Sequence, residues 1–323
     1  MTKDSKRPIP KTISPQARAV YEAAPDSLDY APVDLATIND IRKTVRAEFE
    51  PAALQTLERT GVRLEEMQIN GIPVLAVHPK ESERRSIRHA ILYFYGGGYI
   101  TGSPFEDLPI SATLAAGLGI TVFAAHYRLT PEHPYPAALE DGLASYRGLL
   151  EDYEPARLAV VGESAGGNLA TSTLLTIRDA GEAMPQATAL LSPWVDLADL
   201  SDSRVVLDGL DPALGCVTPA ALAFANGRDL KDPGISPVYA DFEPGFPPTL
   251  ITTGTRDFLS SDCARLSTAM RLAGVDVRLH LWEGMWHVFE FYPDVPEAQQ
   301  SLAEITAFLA KQLELGQGPI WTS

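Results

Sequence analysis

The stretch that decides the fold is Val160-Val161-Gly162-Glu163-Ser164-Ala165-Gly166-Gly167. The apolar run Leu158–Val161 that enters it is typical of a buried strand, and the segment Asn168–Arg178 that leaves it is typical of a helix, stopped by Gly181. Between them lies Gly-x-Ser-x-Gly, the sequence form of a nucleophile elbow. Because only glycine lets strand and helix approach so closely, the pattern predicts a tight turn with the Ser164 hydroxyl presented at its tip. The free N–H groups of the helix that begins there would face an oxyanion beside the serine.

The segments on either side of this stretch alternate between strand and helix patterns. Asn70-Gly71 separates two strand-like runs and predicts a hairpin, since both residue types tolerate positive φ. Further strands are predicted at 90–95, 120–125, 158–161, 187–191, 249–253 and 275–281, and helices at 137–150, 168–178, 262–273 and 297–313. A hairpin followed by this alternation predicts an α/β fold, with a mostly parallel sheet and helices on both faces.

Two segments lie outside this alternation. Residues 1–60 carry amphipathic helix patterns at 16–24 and 35–49, and residues 194–247 are rich in Asp, Gly and Pro with one helix signal at 220–226. An insertion of this length in an α/β domain usually covers a site. We therefore predict N-terminal cap helices at 1–60, a catalytic domain at 61–193 and 248–323, and a cap insertion at 194–247. Whether the N-terminal helices pack on the main domain or form part of a lid is left open by the sequence.

Composition limits the classes of function. The chain has 323 residues, 45% hydrophobic and 21% charged, which is typical of a globular protein. Its net charge of −16 argues against nucleic acid or an anionic membrane as a partner. Cys216 and Cys263 cannot form a disulfide framework and lie at no metal-ligand spacing, so no metal is predicted. There is no apolar run long enough to span a bilayer and no signal-peptide core in residues 1–10, which predicts a cytoplasmic protein.

A serine nucleophile needs a base, and the base needs a carboxylate to orient it. Asp257 follows the predicted strand 249–253, and His287 follows the predicted strand ending near 281. The order serine, acid, base is that of α/β hydrolases, and the carboxyl ends of parallel strands meet at one edge of a sheet. A single Asp after a strand is more often a helix cap, as we interpret Asp262, and a single His is more often a surface or core residue. The order and placement together predict a triad of Ser164, Asp257 and His287.

The glycine run Gly96-Gly97-Gly98 directly follows a predicted central strand. Glycines leave backbone N–H groups uncovered, so that these groups can approach a substrate carbonyl. Together with the N–H of Ala165 they are candidates for an oxyanion hole. The alternative is an ordinary flexible turn.

Further motifs make a resemblance specific. They are Tyr95-Gly96-Gly97-Gly98, Tyr127-Arg128-Leu129, Pro131-Glu132-His133-Pro134-Tyr135-Pro136-Ala137-Ala138, the stretch 162–167, Asp257 and Gly284-Met285-Trp286-His287. From about residue 90 to the last helix, the chain resembles the hormone-sensitive lipase family of bacterial esterases, also called family IV.

The resemblance implies an α/β-hydrolase fold, a cap built from both flanking segments, and ester hydrolysis without a cofactor. It makes Ser164 the nucleophile, Asp257 the orienting acid and His287 the base. It makes the N–H groups of Gly97, Gly98 and Ala165 the oxyanion hole. Members are often dimers paired through the last strand, so a homodimer is an expectation.

One position departs from the family, which usually has histidine where this chain has Tyr95. We expect activity to survive, because the oxyanion donors are backbone groups, whereas the sequence leaves open how the loop is braced and how wide the acyl pocket is. Five aromatic residues are candidates for the pocket, with the core as the alternative for each: Tyr95, Tyr99, Trp194, Phe258 and Trp286.

The predicted substrates are short- to medium-chain acyl or aryl esters. A lactone hydrolase with the same triad is the first alternative, because opening the ring requires no additional group. The alternative of another class is a non-catalytic small-molecule receptor on the same fold, which would be expected to have lost a triad residue.

Overall fold

The computed structural model describes residues 7–25 and 36–316, and its sheet is built from eight strands. They are β1 (Arg63–Ile69), β2 (Ile72–His78), β3 (Ala90–Phe94), β4 (Thr121–Ala125), β5 (Leu158–Glu163), β6 (Ala187–Leu191), β7 (Thr249–Gly254) and β8 (Val277–Trp282). Their order in the sheet is β1-β2-β4-β3-β5-β6-β7-β8. Strand β2 is antiparallel to both of its neighbours, and every other pair is parallel. The predicted α/β architecture with a leading hairpin is confirmed.

The hairpin between β1 and β2 has the predicted two-residue turn. Ile69 lies opposite Ile72, and Asn70 and Gly71 have φ of 49° and 82°. Both central residues therefore have the positive φ that a turn matching the twist of the strands requires.

The described helices are α1 (Pro15–Ala23), α2 (Ile38–Thr60), α3 (Leu108–Leu118), α4 (Ala137–Leu149), α5 (Ser164–Asp179), α6 (Ser203–Val206), α7 (Thr218–Ala225), α8 (Ser260–Leu272) and α9 (Pro296–Gln312). Helices α3 and α9 pack against each other on the sheet, and α4 and α5 form a second packed pair. Helix α3 was not predicted, because it is buried on nearly all sides and so has no amphipathic period. Its end signals were available, since Pro109 lies in its first turn and Gly119, with φ of 66°, ends it.

Helix α2 is longer than its predicted span. The prediction covered residues 35–49, whereas the helix continues through Pro51 to Thr60, where its second half buries Ala53 and Thr56. Leu35, where the prediction began, lies outside the described residues, as do residues 1–6 and 26–34 of the predicted N-terminal cap segment.

The core lies around the central strands. Every residue of β3, β5, β6 and β7 is buried, which explains why they appear in the sequence as continuous apolar runs. The edge strands β1 and β8 have largely exposed or half-exposed residues. Among the helices of residues 7–25 and 36–316, none is long and apolar enough to cross a membrane.

The two helices of the predicted N-terminal cap segment, α1 and α2, contact different parts of the domain. Helix α1 packs near α9, where the Tyr21 hydroxyl donates a 2.8 Å hydrogen bond to the Gly284 carbonyl. Helix α2 packs on α3, and its Arg42 donates to the carbonyl of Ile100 at 2.8 Å. The N-terminal helices therefore pack on the main domain. The division of the chain into cap and catalytic parts stays a prediction.

Candidate active site

Ser164 lies at the junction of β5 and α5 with φ of 50°, in the strained backbone conformation expected for a nucleophile elbow. Two glycines make the crossing possible. A Cβ on Gly166 would overlap the carbonyl oxygen of Phe94, and one on Gly162 would overlap the carbonyl of Gly166. The helix therefore begins against the backbone of the neighbouring strand, where no side chain larger than that of glycine fits.

The three predicted triad residues lie in one hydrogen-bonded line. The Ser164 Oγ is 2.9 Å from His287 Nε2, and His287 Nδ1 is 3.1 Å from Asp257 Oδ1. Because a carboxylate only accepts hydrogen bonds, the His287 Nδ1–H donates to Asp257, and whenever the ring is neutral this leaves Nε2 able to accept the serine proton.

Asp257 is fully buried yet held in its charged form. Its Oδ2 accepts from the Thr253 hydroxyl at 2.6 Å, and its Oδ1 accepts from the Leu259 N–H at 2.8 Å. Burial alone would raise its pKa, but the charge of His287 and hydrogen bonds from His287, Ser192 and Thr253 outweigh it, so the pKa lies below its ordinary value.

The loops after β7 and β8 are brought together by close backbone packing. A Cβ on Gly254, at the end of β7, would overlap the carbonyl of Met285, and the Arg256 N–H donates to the same carbonyl at 2.9 Å. This contact places Asp257 and His287 side by side although they are 30 residues apart in the chain.

The glycine loop presents free donors. Gly97 and Gly98 have φ of 100° and 63°, and the Gly97 carbonyl accepts from Ile100 and Thr101 at 3.0 Å, which closes the turn. Among hydrogen bonds between described residues, none uses the N–H of Gly97, Gly98 or Ala165. Such unpaired N–H groups are suited to an oxyanion.

A buried carboxyl group braces this loop from below. Glu163 Oε1 accepts a hydrogen bond from the N–H of Gly96. Burial and the nearby charge of Asp107 raise the pKa of Glu163 well above its usual value. Asp107 itself accepts from the Tyr93 hydroxyl, and burial raises its pKa to about 7. The loop is therefore a supported element rather than an ordinary flexible turn.

Over residues 7–25 and 36–316, no cluster of three or more His, Cys, Asp or Glu could hold a metal ion. Cys216 is exposed, and Cys263 is buried in α8.

Known proteins are similar to this chain in sequence and in fold. A model of the α/β hydrolase fold family matches residues 91–291. An acetyl-hydrolase of Streptomyces hygroscopicus is 37% identical over 237 residues, covering 72% of this chain and 78% of the relative. A putative acetyl-hydrolase LipR of Mycobacterium tuberculosis is 34% identical over 263 residues, 80% and 83% of the two chains. The crystal structure of an esterase from the bacterial hormone-sensitive lipase family superposes with a TM-score of 0.83 at 32% identity, covering 93% of this chain and 99% of that one.

The chain belongs to the bacterial hormone-sensitive lipase family of α/β hydrolases. It is an enzyme of the serine carboxylesterase type.

In this hormone-sensitive lipase family member, Tyr95 takes the position where the family usually has histidine. Its ring stacks on Tyr127, with centroids 4.4 Å apart and planes at 16°. The Tyr127 hydroxyl donates to the Tyr95 carbonyl at 2.7 Å, whereas the Tyr95 hydroxyl reaches the Tyr127 carbonyl only at 3.4 Å. Both side chains are buried, and the pair holds the backbone that leads into the glycine loop.

Two of the other predicted pocket residues lie beside the nucleophile helix. The Tyr99 hydroxyl donates to Asn168 Oδ1 in α5 at 2.8 Å, and the Tyr99 ring stacks on Phe224 of α7 with centroids 3.8 Å apart. The N–H of Trp194 donates to the Ser164 carbonyl at 2.9 Å. Its indole Nε1–H is buried without a hydrogen-bond partner among the described residues.

The remaining two make core contacts. Phe258 lies under the guanidinium of Arg204, 5.1 Å from its ring centroid. Trp286 packs edge-to-face against Tyr21 and Tyr292 at 5.3 and 5.2 Å, in a small cluster beside α1 and α9. For both rings, these contacts favour the alternative of a core position over that of a pocket position.

Sequence reasoning missed two residues that support the triad. Ser192, with φ of 45°, accepts a hydrogen bond from the Val288 N–H at 3.1 Å, and its hydroxyl helps to lower the pKa of Asp257. Asp211 accepts from the N–H of His287 at 3.1 Å. Ser192-Pro193 at the end of β6 and Asp211-Pro212 in the insertion were visible as turn signals, but nothing local connects them to the triad.

Asp262 does not have its predicted role as a helix cap. It does not cap α8 but lies within it, where its buried carboxylate accepts from the Ser201 hydroxyl at 2.6 Å and pairs with Arg204 at 3.1 Å. The predicted cap was wrong because the helix begins two residues earlier, at Ser260.

Proposed function

We propose that this esterase hydrolyses carboxylic esters through an acyl-enzyme formed on Ser164, with His287 as general base and Asp257 as the carboxylate that orients it. The observation that carries the proposal is the continuous line of hydrogen bonds from Ser164 through His287 to Asp257, at 2.9 and 3.1 Å. The non-catalytic receptor is disfavoured because all three groups are present and in contact.

In the first half-reaction, the Ser164 oxygen attacks the ester carbonyl carbon while His287 Nε2 takes its proton. The N–H groups of Gly97, Gly98 and Ala165 are proposed to bind the oxyanion that forms. The imidazolium then gives its proton to the leaving alcohol as the carbon–oxygen bond breaks. In the second half-reaction, His287 takes a proton from water as the water oxygen attacks the acyl carbon. The imidazolium then returns the proton to the Ser164 oxygen as the bond between that oxygen and the acyl carbon breaks, which releases the carboxylic acid.

We propose short- to medium-chain acyl or aryl esters as substrates. The relatives named acetyl-hydrolases support a small acyl group. The stacked rings of Tyr99 and Phe224, which the Tyr99 hydroxyl links to Asn168 of α5, support apolar surroundings near the site. A lactone would be opened by the same groups, so lactones belong in the same assay.

The test compares p-nitrophenyl esters of increasing acyl length with a set of lactones, on the wild type, Ser164→Ala and the control Ser111→Ala in α3. We expect Ser164→Ala to lose about 10⁴-fold or more in kcat. A fluorophosphonate probe should label the wild type and the control but not Ser164→Ala. Wild-type turnover by Ser164→Ala would reject the proposal, and preferred turnover of lactones would reassign the substrate.

We also propose that the segment 194–247 forms a cap over this site and that the protein pairs as a homodimer through β8. Phe224 of α7 supports the cap, because it stacks on Tyr99 next to the glycine loop. The position of β8 at the edge of the sheet supports the pairing, as does Leu281, which is 57% exposed. Light scattering after size exclusion should give twice the chain mass, and Leu281→Glu should shift it towards the monomer. A monomeric wild type would reject the pairing.

A further inference from the structure

We propose that Asp211, in the segment 194–247, is a positioning residue for the triad. Its carboxylate binds the main chain of the two loops that carry Asp257 and His287. The packing of the segment 194–247 against the domain and the geometry of the triad are therefore coupled. The proposal rests on the triad roles proposed above.

One oxygen of Asp211 bridges the two loops. Oδ2 accepts hydrogen bonds from the N–H of Phe258 at 3.0 Å and from the N–H of His287 at 3.1 Å. Phe258 directly follows Asp257, so the two donors belong to the peptide groups next to the triad acid and at the triad base. A displacement of this oxygen would move both loops at once.

The other oxygen ties the carboxylate to its own segment. Oδ1 accepts from the N–H of Ala213 at 2.8 Å and from the N–H of Leu214 at 3.0 Å. The residue is 1% exposed, so these four bonds take the place of water around a buried carboxylate. Hydrogen bonds from N–H groups to an ionised carboxylate are stronger than those between neutral groups, which makes this a firm link between segment and triad.

The charge of Asp211 also interacts with that of His287. Burial and the nearby charge of Asp257 raise the pKa of Asp211 to about 6, while His287 and the N–H donors oppose the rise. Burial and the nearby charge of Asp211 also raise the pKa of Tyr21 in α1. At neutral pH the imidazolium formed during catalysis would therefore be flanked by two carboxylates, one on its ring and one on its backbone.

The discriminating variant is Asp211→Asn. It has nearly the same volume, but it offers a single acceptor oxygen, and its amide group would face two N–H donors. The matched control is Asp232→Asn. Within the described residues, the Asp232 carboxylate accepts from the N–H of Gly234 at 2.9 Å, in a local turn of the same segment.

The experiment measures kcat and KM with p-nitrophenyl acetate, and the downfield proton resonance of the His287 Nδ1–H by NMR. We expect Asp211→Asn to lower kcat about 10- to 100-fold, because small displacements of catalytic groups have effects of this size. KM should stay within about twofold of the wild type, since no group proposed to bind substrate is removed. The downfield resonance should shift or broaden, and Asp232→Asn should match the wild type in all three measurements.

Wild-type kcat in Asp211→Asn, or an unchanged downfield resonance, would overturn the proposal. If the variant does not fold, amide exchange of the wild type decides: the N–H groups of Phe258 and His287 should be strongly protected, and rapid exchange at either would overturn it. A wild type that turns over no ester would instead reject the proposed function, while the exchange measurement would still test the role of Asp211.

Discussion

The support of the glycine loop by two stacked tyrosines leads to a matched pair of substitutions, Tyr127→Phe and Tyr95→Phe. Each removes one phenolic oxygen from the same ring stack and leaves the stack itself in place. The two oxygens differ in what they hold. The Tyr127 hydroxyl donates to the Tyr95 carbonyl at 2.7 Å, whereas the Tyr95 hydroxyl is 3.4 Å from its acceptor.

The expected magnitudes follow from these distances. In Tyr127→Phe, the buried Tyr95 carbonyl loses a good hydrogen bond, which costs roughly 1–3 kcal/mol in the free energy of unfolding. In Tyr95→Phe, the bond lost is near the limit of a real hydrogen bond, and the cost is about 0.5 kcal/mol or less. Because the Tyr95 carbonyl belongs to the peptide that enters Gly96, we also expect a shift of the proposed oxyanion donors. A loss of about 1.4 kcal/mol in transition-state binding would lower kcat about tenfold in Tyr127→Phe.

The assay is hydrolysis of p-nitrophenyl acetate together with thermal unfolding followed by circular dichroism. Tyr127→Phe should lower kcat about tenfold, with KM little changed, and lower Tm by a few degrees. Tyr95→Phe should stay within about twofold of the wild type in kcat. Equal effects of the two substitutions on kcat, or a larger effect of Tyr95→Phe, would refute the idea that the 2.7 Å bond holds the loop.

Three further predictions concern the elbow, the buried carboxyl below the loop and the pH dependence. Gly166→Ala should prevent folding, because its Cβ would overlap the Phe94 carbonyl. The control Gly181→Ala, just after α5, should lower the free energy of unfolding by only about 1 kcal/mol, because nothing lies within 4 Å of the added Cβ. A soluble, active Gly166→Ala variant would contradict this prediction. Glu163→Gln should keep kcat within about threefold, because its amide oxygen can still accept from the Gly96 N–H. Glu163→Ala should lower kcat about tenfold by leaving the Gly96 N–H without its acceptor, and equal kcat in the two variants would reject this role. The folded-state pKa of Asp211 is raised to about 6, so the protonated carboxyl contributes to the free energy of unfolding at low pH, and this contribution is lost as the pH rises through that value. The protonated carboxyl, however, cannot accept hydrogen bonds from all four N–H donors. The kcat of the wild type should therefore fall more steeply below about pH 6 than that of Asp211→Asn. Parallel pH profiles of kcat for the two proteins would contradict a role of the ionised Asp211 carboxylate.

The sheet and the elbow were predictable because their signals are local. Buried parallel strands appear as continuous apolar runs, and the Asn70-Gly71 turn needs residues that accept positive φ. Helix α3 was missed for the opposite reason, since burial on nearly all sides erases the period by which a helix is recognised. The aromatic residues show the same limit. Trp194 and Trp286 look alike in the sequence, yet one borders the Ser164 backbone and the other fills a cluster with Tyr21.

The sequence by itself determined where the proposed nucleophile would lie and in which order its proposed partners would follow. The reason is that a serine with φ of 50° between a strand and a helix requires glycines at defined neighbouring positions, and chain order is read directly from the sequence. Only the tertiary structure decided that His287 reaches Ser164 across 123 residues and that Asp211 reaches the backbone of His287 across 76. Contacts of this kind depend on how loops that are far apart in the chain pack against one another. No local pattern of residues encodes which loops come together.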